Sequence, residues 1–292
     1  MPFERPWHAS YSPGVPPEIE IRKITMAEAL SNTARKYPNE VAYIYMGKKI
    51  TYRDLEGLVN RFARALKALG VRRGDKVAML LPNIPQVAIA DHACYRLGAV
   101  TAMNNPLYTE RELAYQLDDS DARVVVTLDL LLPRLVKIRN QTKIDTIITC
   151  HINDFLPFPV KQLFPFVKKD MYRKITTQTG VYQFMDLLKA HPEAPVQSEA
   201  AWDDLAALIY TGGTTGVSKG AMLTHENISA VIQIFRAWFP DLKDTGESLL
   251  GVYPVFHSAG YSVSQNFPFW SGWTCVLVPR PTPEAIVEQL RK

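Results

Sequence analysis

The segment from Tyr210 to Ala221 has the residue types and spacing that favour binding of a phosphate chain. It reads Tyr-Thr-Gly-Gly-Thr-Thr-Gly-Val-Ser-Lys-Gly-Ala, with four glycines, three threonines and one lysine between Thr211 and Gly220. Glycines lack a Cβ, so successive backbone N–H groups can turn toward one anion, and threonine hydroxyls and the Lys219 ammonium add donors. An apolar run at 205–210 predicts a buried strand before the loop, and a helical pattern follows from Glu226. The segment therefore predicts a polyphosphate site, for ATP with Mg²⁺.

The loop differs from a Walker A motif. That motif requires Gly-Lys-Ser/Thr, whereas here Ser218 precedes Lys219 and Gly220 follows it. The alternative interpretation is a flexible surface loop that is rich in Gly and Thr. The strand before the loop favours the phosphate site.

Composition excludes several classes of protein. The 292 residues are 47% apolar with a formal net charge of +4, which is too small to indicate a nucleic-acid partner. Three separated cysteines, without Cys-x-x-Cys spacing, argue against a disulfide framework or a zinc site. The first residues lack the apolar core of a signal peptide, and no apolar run reaches the roughly 18 residues of a membrane span. We therefore expect a cytoplasmic protein.

Strand and helix patterns alternate along the chain from Lys76. Apolar runs at 77–81, 99–103, 123–128 and 146–150 predict strands, and the segments 86–97, 109–118 and 131–140 predict helices between them. Short joints between such elements indicate a parallel sheet covered by helices on both faces, which is an α/β fold. Capping boxes at Thr25–Glu28 and Thr109–Glu112 predict two helix starts.

Residues 151–200 interrupt this alternation with aromatic, proline and basic residues. The runs at 155–160 and 163–167 interleave with Lys161, Lys168, Lys169, Arg173 and Lys174. One interpretation is contact with a membrane surface. The favoured one is a surface excursion whose aromatic side chains pack back on the domain, because the prolines interrupt a long amphipathic helix.

The order of residues in the loop resembles the phosphate-binding signature of the adenylate-forming superfamily, which comprises acyl-CoA synthetases, firefly luciferases and the adenylation domains of peptide synthetases. The usual form is Thr-Ser-Gly-Thr-Thr-Gly-x-Pro-Lys-Gly, and this chain has Gly212 for Ser and Ser218 for Pro. Segments 51–55, 81–86, 97–100 and 105–113 are also similar to family segments. The Thr-Gly-Gly-Thr-Thr-Gly variant is most similar to bacterial long-chain fatty-acid–CoA ligases.

The resemblance implies an activity and a domain organisation. A fatty acid would attack the α-phosphorus of ATP to give an acyl-adenylate and pyrophosphate, and CoA would then displace AMP. The N-terminal region of such enzymes holds two related α/β subdomains. Here they would be 76–236 and, incomplete at the C-terminus, 20–75 with 248–292. The alternatives are an aryl-CoA ligase or another adenylating enzyme of the same fold, or a nucleotide- or acyl-binding module without catalysis.

The resemblance also implies roles for individual residues. In the first step charge gathers on the leaving pyrophosphate, so donors around the β- and γ-phosphates stabilise the transition state. Lys219 is the expected catalytic cation and Thr211 is expected near Mg²⁺. The other expected donors to the phosphates are Gly212, Gly213, Thr214, Thr215 and Gly216.

A second group of candidate residues follows the predicted strand at 249–256. The sequence from Tyr253 to Tyr261 is similar to the family's Pro-x-Phe-His-x-x-Gly segment, in which the histidine borders the carboxylate site. His257 would orient the carboxylate, and Gly260 would leave room for the acyl chain. Tyr261 follows His257 by four residues, so it is expected on the same helix face, where it would line or gate the acyl tunnel. The resemblance places Arg280 near the phosphates of CoA, with a solvated strand-end arginine as the equal alternative. His225 matches the family pattern and is expected to be structural, at a helix start.

Other family motifs do not occur in the 292 residues. These are the Tyr-Gly-x-Thr-Glu and Thr-Gly-Asp segments and a C-terminal lysine that contacts the α-phosphate. We therefore expect a portion of a longer chain that by itself does not complete the reaction, with the main Mg²⁺ carboxylate beyond residue 292. Acyl length, homodimer formation and peripheral membrane contact are left open by the sequence.

Overall fold

Two β-sheets organise the chain in a computed structural model, which describes residues 5–176, 178–211 and 218–291. The strands are β1 Val41–Tyr45, β2 Lys48–Thr51, β3 Lys76–Leu80, β4 Val100–Met103, β5 Val124–Leu128, β6 Thr146–Cys150, β7 Val181–Gln183, β8 Leu205–Thr211, β9 Lys219–Thr224, β10 Ser248–Gly251 and β11 Thr274–Leu277. The larger sheet has the order β7-β6-β5-β3-β4-β8-β9 and the smaller one β10-β11-β1-β2.

The helices lie between these strands in sequence. They are α1 Met26–Lys36, α2 Tyr52–Ala68, α3 Pro85–Arg96, α4 Glu110–Asp119, α5 Leu132–Ile138, α6 Val160–Val167, α7 Phe184–Ala190, α8 His225–Ala237, α9 Phe267–Ser271 and α10 Pro283–Leu290, and a π-helix spans Gly260–Asn266. The predicted capping boxes at Thr25 and Thr109 start α1 and α4 and are confirmed. None of the helices in the described part of the chain is long and apolar enough to cross a membrane.

The α/β class is confirmed, with sheets that are mixed rather than purely parallel. Strands β3 to β8 pair in parallel across the larger sheet, but β9 pairs antiparallel with β8. The residues of β9 have no strand pattern of their own. Only positions 212–218 of the sequence separate β9 from β8, and so short a connection permits antiparallel pairing alone. In the smaller sheet β1 and β2 form an antiparallel hairpin that turns at Met46 and Gly47.

Helices cover both faces of the larger sheet, as strand β3 shows. Val77 and Met79 belong to the main core, together with residues of α2 and α3. Ala78 and Leu80 point to the other face and join a second cluster with residues of α4 and α5. Alternate side chains of a strand face opposite sides of its sheet, so β3 is buried on both.

The main core continues from the larger sheet to the smaller one. It includes Tyr43 and Tyr45 of β1, Cys275 of β11 and Phe269 of α9. The smaller sheet takes its strands from the two ends of the chain, 41–51 and 248–277, while the larger takes them from 76–224. We propose that each sheet with its helices is one subdomain, with the limits 76–236 for the larger and 20–75 with 248–292 for the smaller.

Candidate functional site

The β8–β9 hairpin fixes the two ends of the glycine-rich loop beside each other. Thr211 and Lys219 are partners in the antiparallel register, and the Thr211 hydroxyl donates to the Lys219 carbonyl oxygen at 3.5 Å. Both side chains are exposed. Because β8 is parallel to β4 and β3, its end lies at the carboxyl edge of the sheet, where α/β folds bind ligands.

Helix α4 holds both ends of the loop from one side. The hydroxyl of the buried Tyr210 donates to Asp119 Oδ2 at 2.7 Å and lies 3.2 Å from the Gln116 carbonyl oxygen. Gln116 Nε2 donates to Ser218 Oγ at 3.1 Å. Burial, and then the neighbouring Asp119 carboxylate, raise the pKa of Tyr210 far above its ordinary value, so its hydroxyl stays a donor. These bonds position the loop ends independently of any ligand.

The centre of the predicted phosphate loop lies outside the described residues. This concerns Gly212, Gly213, Thr214, Thr215 and Gly216. The flanking donors fit a phosphate chain: two hydroxyls, at Thr211 and Ser218, and the ammonium of Lys219 stand at the ends of a short hairpin. No cluster of three or more His, Cys, Asp or Glu side chains that could hold a metal occurs in the described ranges, and Thr211 supplies a single hydroxyl oxygen. The described donors at the loop ends therefore suit a phosphate chain, and the place of Thr211 near Mg²⁺ stays a prediction.

Asn83 fixes the segment that carries His257. It is buried directly after β3, and its Nδ2 donates to the carbonyl oxygens of Gly251 at 3.0 Å and Tyr253 at 2.9 Å. Its Oδ1 accepts the Val255 N–H at 3.0 Å. Three bonds from one amide thus bring the segment to the same carboxyl edge as the β8–β9 hairpin. His257 is exposed there, with its Nδ1 3.4 Å from the Ala259 N–H.

Gly260 stands where the chain folds tightly over itself. A Cβ at this position would lie 2.0 Å from the Pro254 carbonyl oxygen, so no side chain fits. The glycine is therefore explained by backbone packing, and its expected role in making room for an acyl chain stays a prediction. The Tyr261 N–H donates to the His257 carbonyl oxygen at 2.8 Å, which gives the helical turn that the four-residue spacing predicted.

Tyr261 and His257 do not share one open surface. The Tyr261 side chain is fully buried, and its hydroxyl bonds to that of Tyr95 and donates to Asp91 Oδ1 at 3.2 Å. Gln265, also in the π-helix, donates to the other oxygen of Asp91. In this conformation Tyr261 fastens the π-helix to α3 and is closed to a substrate, so its part in an acyl tunnel stays a prediction.

Asp91 is the most unusual titratable group near the candidate site. It is completely buried, and burial raises its pKa to about 7, against the opposing effect of hydrogen bonds from Thr101, Tyr95, Tyr261 and Gln265. Its neighbour His92 is equally buried, and burial lowers the pKa of its ring to about 3, so it is neutral. The Asp91 carboxyl group therefore changes charge near neutral pH, and none of these neighbouring residues is a cation that could pair with its ionised form.

The remaining two candidates occupy different environments. Arg280 is exposed three residues after β11, and its side chain forms no ion pair within the described ranges. His225 begins α8 and is fully buried, with its Nδ1 accepting the Met26 N–H at 3.3 Å. Burial lowers the pKa of His225 to about 4. Its expected position at a helix start is confirmed, and its burial supports a structural role.

Sequence reasoning missed three residues that position the site: Asn83, Asp91 and Gln116. Each is a buried polar side chain within an apolar context. Asp91 follows four apolar residues of a helix that is buried on every side, and Gln116 falls three residues after Leu113 on the buried stripe of α4. The available signal was a polar residue at a position where the pattern of apolar residues predicts a buried side chain.

Relatives of known activity match nearly the whole chain. A long-chain-fatty-acid–CoA ligase of Bacillus subtilis is 34% identical over 286 residues, which are 97% of this chain and 51% of the relative. The chain thus spans about half the length of the curated relatives that it matches.

Solved structures agree on the fold. A long-chain-fatty-acid-CoA ligase from Archaeoglobus fulgidus superposes with a TM-score of 0.78 at 22% identity, over 96% of this chain and 52% of that one. A benzoate CoA ligase from Burkholderia xenovorans does so with a TM-score of 0.74 at 22% identity, over 91% and 48%. The AMP-binding enzyme family matches residues 30–292. The chain therefore belongs to the AMP-binding enzymes.

Proposed function

We propose that this chain supplies the ATP- and acyl-binding part of a long-chain fatty-acid–CoA ligase. The observation that supports it most is the β8–β9 hairpin, which holds Thr211 opposite Lys219 at the carboxyl edge of a parallel sheet. Family membership and relatives such as the Bacillus subtilis ligase support the reaction class and the fatty-acid substrate.

The hairpin's donors would act on the phosphates of ATP. The Lys219 ammonium and the loop N–H groups would stabilise the negative charge that grows on pyrophosphate as the carboxylate attacks the α-phosphorus. The Thr211 hydroxyl would lie beside Mg²⁺, an ion that neutralises the β- and γ-phosphates when bound. Tyr210, Gln116 and Asp119 would keep the loop ends in place, so that little reorganisation is needed during the reaction.

The segment after β10 would hold the acid. Asn83 sets the backbone at 251–255, and this places His257 in solvent at the edge of the sheet. An imidazole there would orient the carboxylate and reduce its repulsion from the phosphates. Arg280 would contact the phosphates of CoA in the second step.

Substrate-dependent exchange of pyrophosphate into ATP tests this proposal. The enzyme that carries this chain is incubated with ATP, Mg²⁺, labelled pyrophosphate and either palmitate, benzoate or 4-coumarate. We expect exchange with palmitate and formation of its CoA thioester when CoA is added. Exchange with benzoate or 4-coumarate but not with palmitate would indicate an aryl-CoA ligase. Absence of exchange with all three acids would favour a binding module without catalysis.

A further inference from the structure

Helix α6 turns its apolar residues outward. Val160, Leu163 and Val167 follow helical spacing along one face and are 46%, 53% and 71% exposed. Phe158, just before the helix, and Phe166 are 82% and 72% exposed. The prediction that the aromatic residues of this segment pack back on the domain is therefore wrong for these two, although Phe164 and Phe155 do pack against the main core.

Basic residues border this apolar face. Lys168 and Lys169 directly follow the helix, and Arg173 and Lys174 come four residues later. All four are exposed, and Asp170 is the one acidic residue between them. None of these four side chains has an ion-pair partner in the described ranges. The surface therefore joins unpaired positive charge to exposed apolar area.

The surrounding structure holds this segment in its exposed position. Asn153 Nδ2 donates to the Lys161 carbonyl oxygen at 3.0 Å, and Lys161 Nζ donates to the Asp154 carbonyl oxygen at 2.7 Å. The ring of His151 stacks on that of Tyr172, with centroids 4.6 Å apart. These contacts on either side of α6 hold the segment in place, so its apolar side chains stay exposed to solvent. Exposed apolar area of this kind marks an interaction site.

We infer that the exposed surface of α6 and the residues beside it, called the α6 surface, binds the surface of an anionic lipid membrane. The α6 surface comprises five apolar and four basic residues: Phe158, Val160, Leu163, Phe166, Val167, Lys168, Lys169, Arg173 and Lys174. Apolar side chains of an interfacial helix enter the boundary between headgroups and acyl chains, and lysines and arginines beside them contact anionic headgroups. A second copy is the poorer partner, because a two-fold pairing would bring the same cations together. This inference does not rest on the proposed function.

Sedimentation with lipid vesicles measures the binding directly. The wild-type chain is mixed with vesicles of equal parts phosphatidylglycerol and phosphatidylcholine, or with phosphatidylcholine alone, at low and high salt. We expect binding to the anionic vesicles that salt weakens, since screening acts on the headgroup contacts. No sedimentation with anionic vesicles at low salt would overturn the inference.

Paired variants locate the binding surface by charge. Lys168→Gln with Lys169→Gln removes two charges from the surface, and we expect a partition coefficient on the order of 25-fold lower, at roughly fivefold per charge. The matched control changes another adjacent exposed pair, Lys48→Gln with Lys49→Gln on β2. Equal losses in both pairs would show general attraction of a basic protein and would contradict a defined surface.

A second pair tests the apolar contact. Val167→Ser should weaken vesicle binding several-fold by losing buried apolar area, while Val231→Ser, at a half-exposed position on α8, should leave it unchanged. Circular dichroism checks the fold of each variant. If Val167→Ser instead reduces self-association in sedimentation velocity and leaves vesicle binding intact, the occupant is a second copy and the membrane inference is wrong.

Discussion

Replacing Asp91 by asparagine should change how the stability of the protein depends on pH. In the unfolded chain this carboxyl group titrates near its ordinary pKa of 3.8, whereas burial raises its pKa to about 7 in the folded protein. The folded state therefore holds the proton more tightly. The stability that this proton contributes is fully present below pH 3.8 and is lost as pH rises through about 7.

The size of the effect follows from the difference between the two pKa values. At about 1.4 kcal/mol per pH unit, the group costs the folded protein about 4 kcal/mol once it is fully ionised. About half of this, roughly 2 kcal/mol, is lost between about pH 5.5 and pH 8. Asparagine keeps the shape and has no proton to lose, so Asp91→Asn should gain about 2 kcal/mol relative to wild type over that interval.

Urea unfolding at both pH values measures the difference. The free energy of unfolding is compared for wild type, Asp91→Asn and the control Asp241→Asn, which changes an exposed aspartate. We expect the control to follow wild type. If the Asp91→Asn and wild-type curves stay parallel from about pH 5.5 to pH 8, Asp91 is ionised throughout and the reasoning from burial fails.

Three further substitutions test how the site is positioned. Asn83→Ala removes three buried hydrogen bonds, so we expect a loss of about 2 to 4 kcal/mol in unfolding free energy and a higher KM for the fatty acid, measured by urea unfolding and steady-state kinetics. Tyr210→Phe frees one end of the loop from α4 and should raise the KM for ATP with little change in that for the acid, as ATP titrations would show. Tyr261→Ala should alter chain-length preference more than the KM for ATP, and an unchanged acyl profile would give Tyr261 a packing role only.

Local patterns in the sequence were enough to predict much of the fold. The Thr25 and Thr109 capping boxes start helices where expected, and the alternation from Lys76 produces the parallel strands of the larger sheet. Such signals depend on neighbours within a few residues, so a single sequence carries them. The β9 strand was missed because its pairing depends on the β8 partner and not on its own mixed pattern of glycine, alanine and methionine.

The residue types of the candidate site were predictable from the sequence, whereas the residues that hold them in position were not. Asp91 and Tyr261 are 170 residues apart in the chain, and nothing in the local sequence indicates that they meet. Tyr261 lies four residues after the exposed His257, and this spacing favoured the prediction that both side chains lie on one exposed helix face. The contact with Asp91 turns it inward instead. Asn83 and Gln116 likewise act on partners more than 100 residues away.

We propose that the β8–β9 hairpin binds the phosphates of ATP during activation of a fatty acid. Lys219→Ala in the enzyme that carries this chain tests it, with palmitate-dependent exchange of pyrophosphate into ATP as the assay and Lys49→Ala on β2 as the control. We predict a loss of about 10² to 10³ in exchange rate for Lys219→Ala, the usual scale for one donor to developing charge, and none for the control. Exchange kinetics of Lys219→Ala equal to those of wild type would contradict the account.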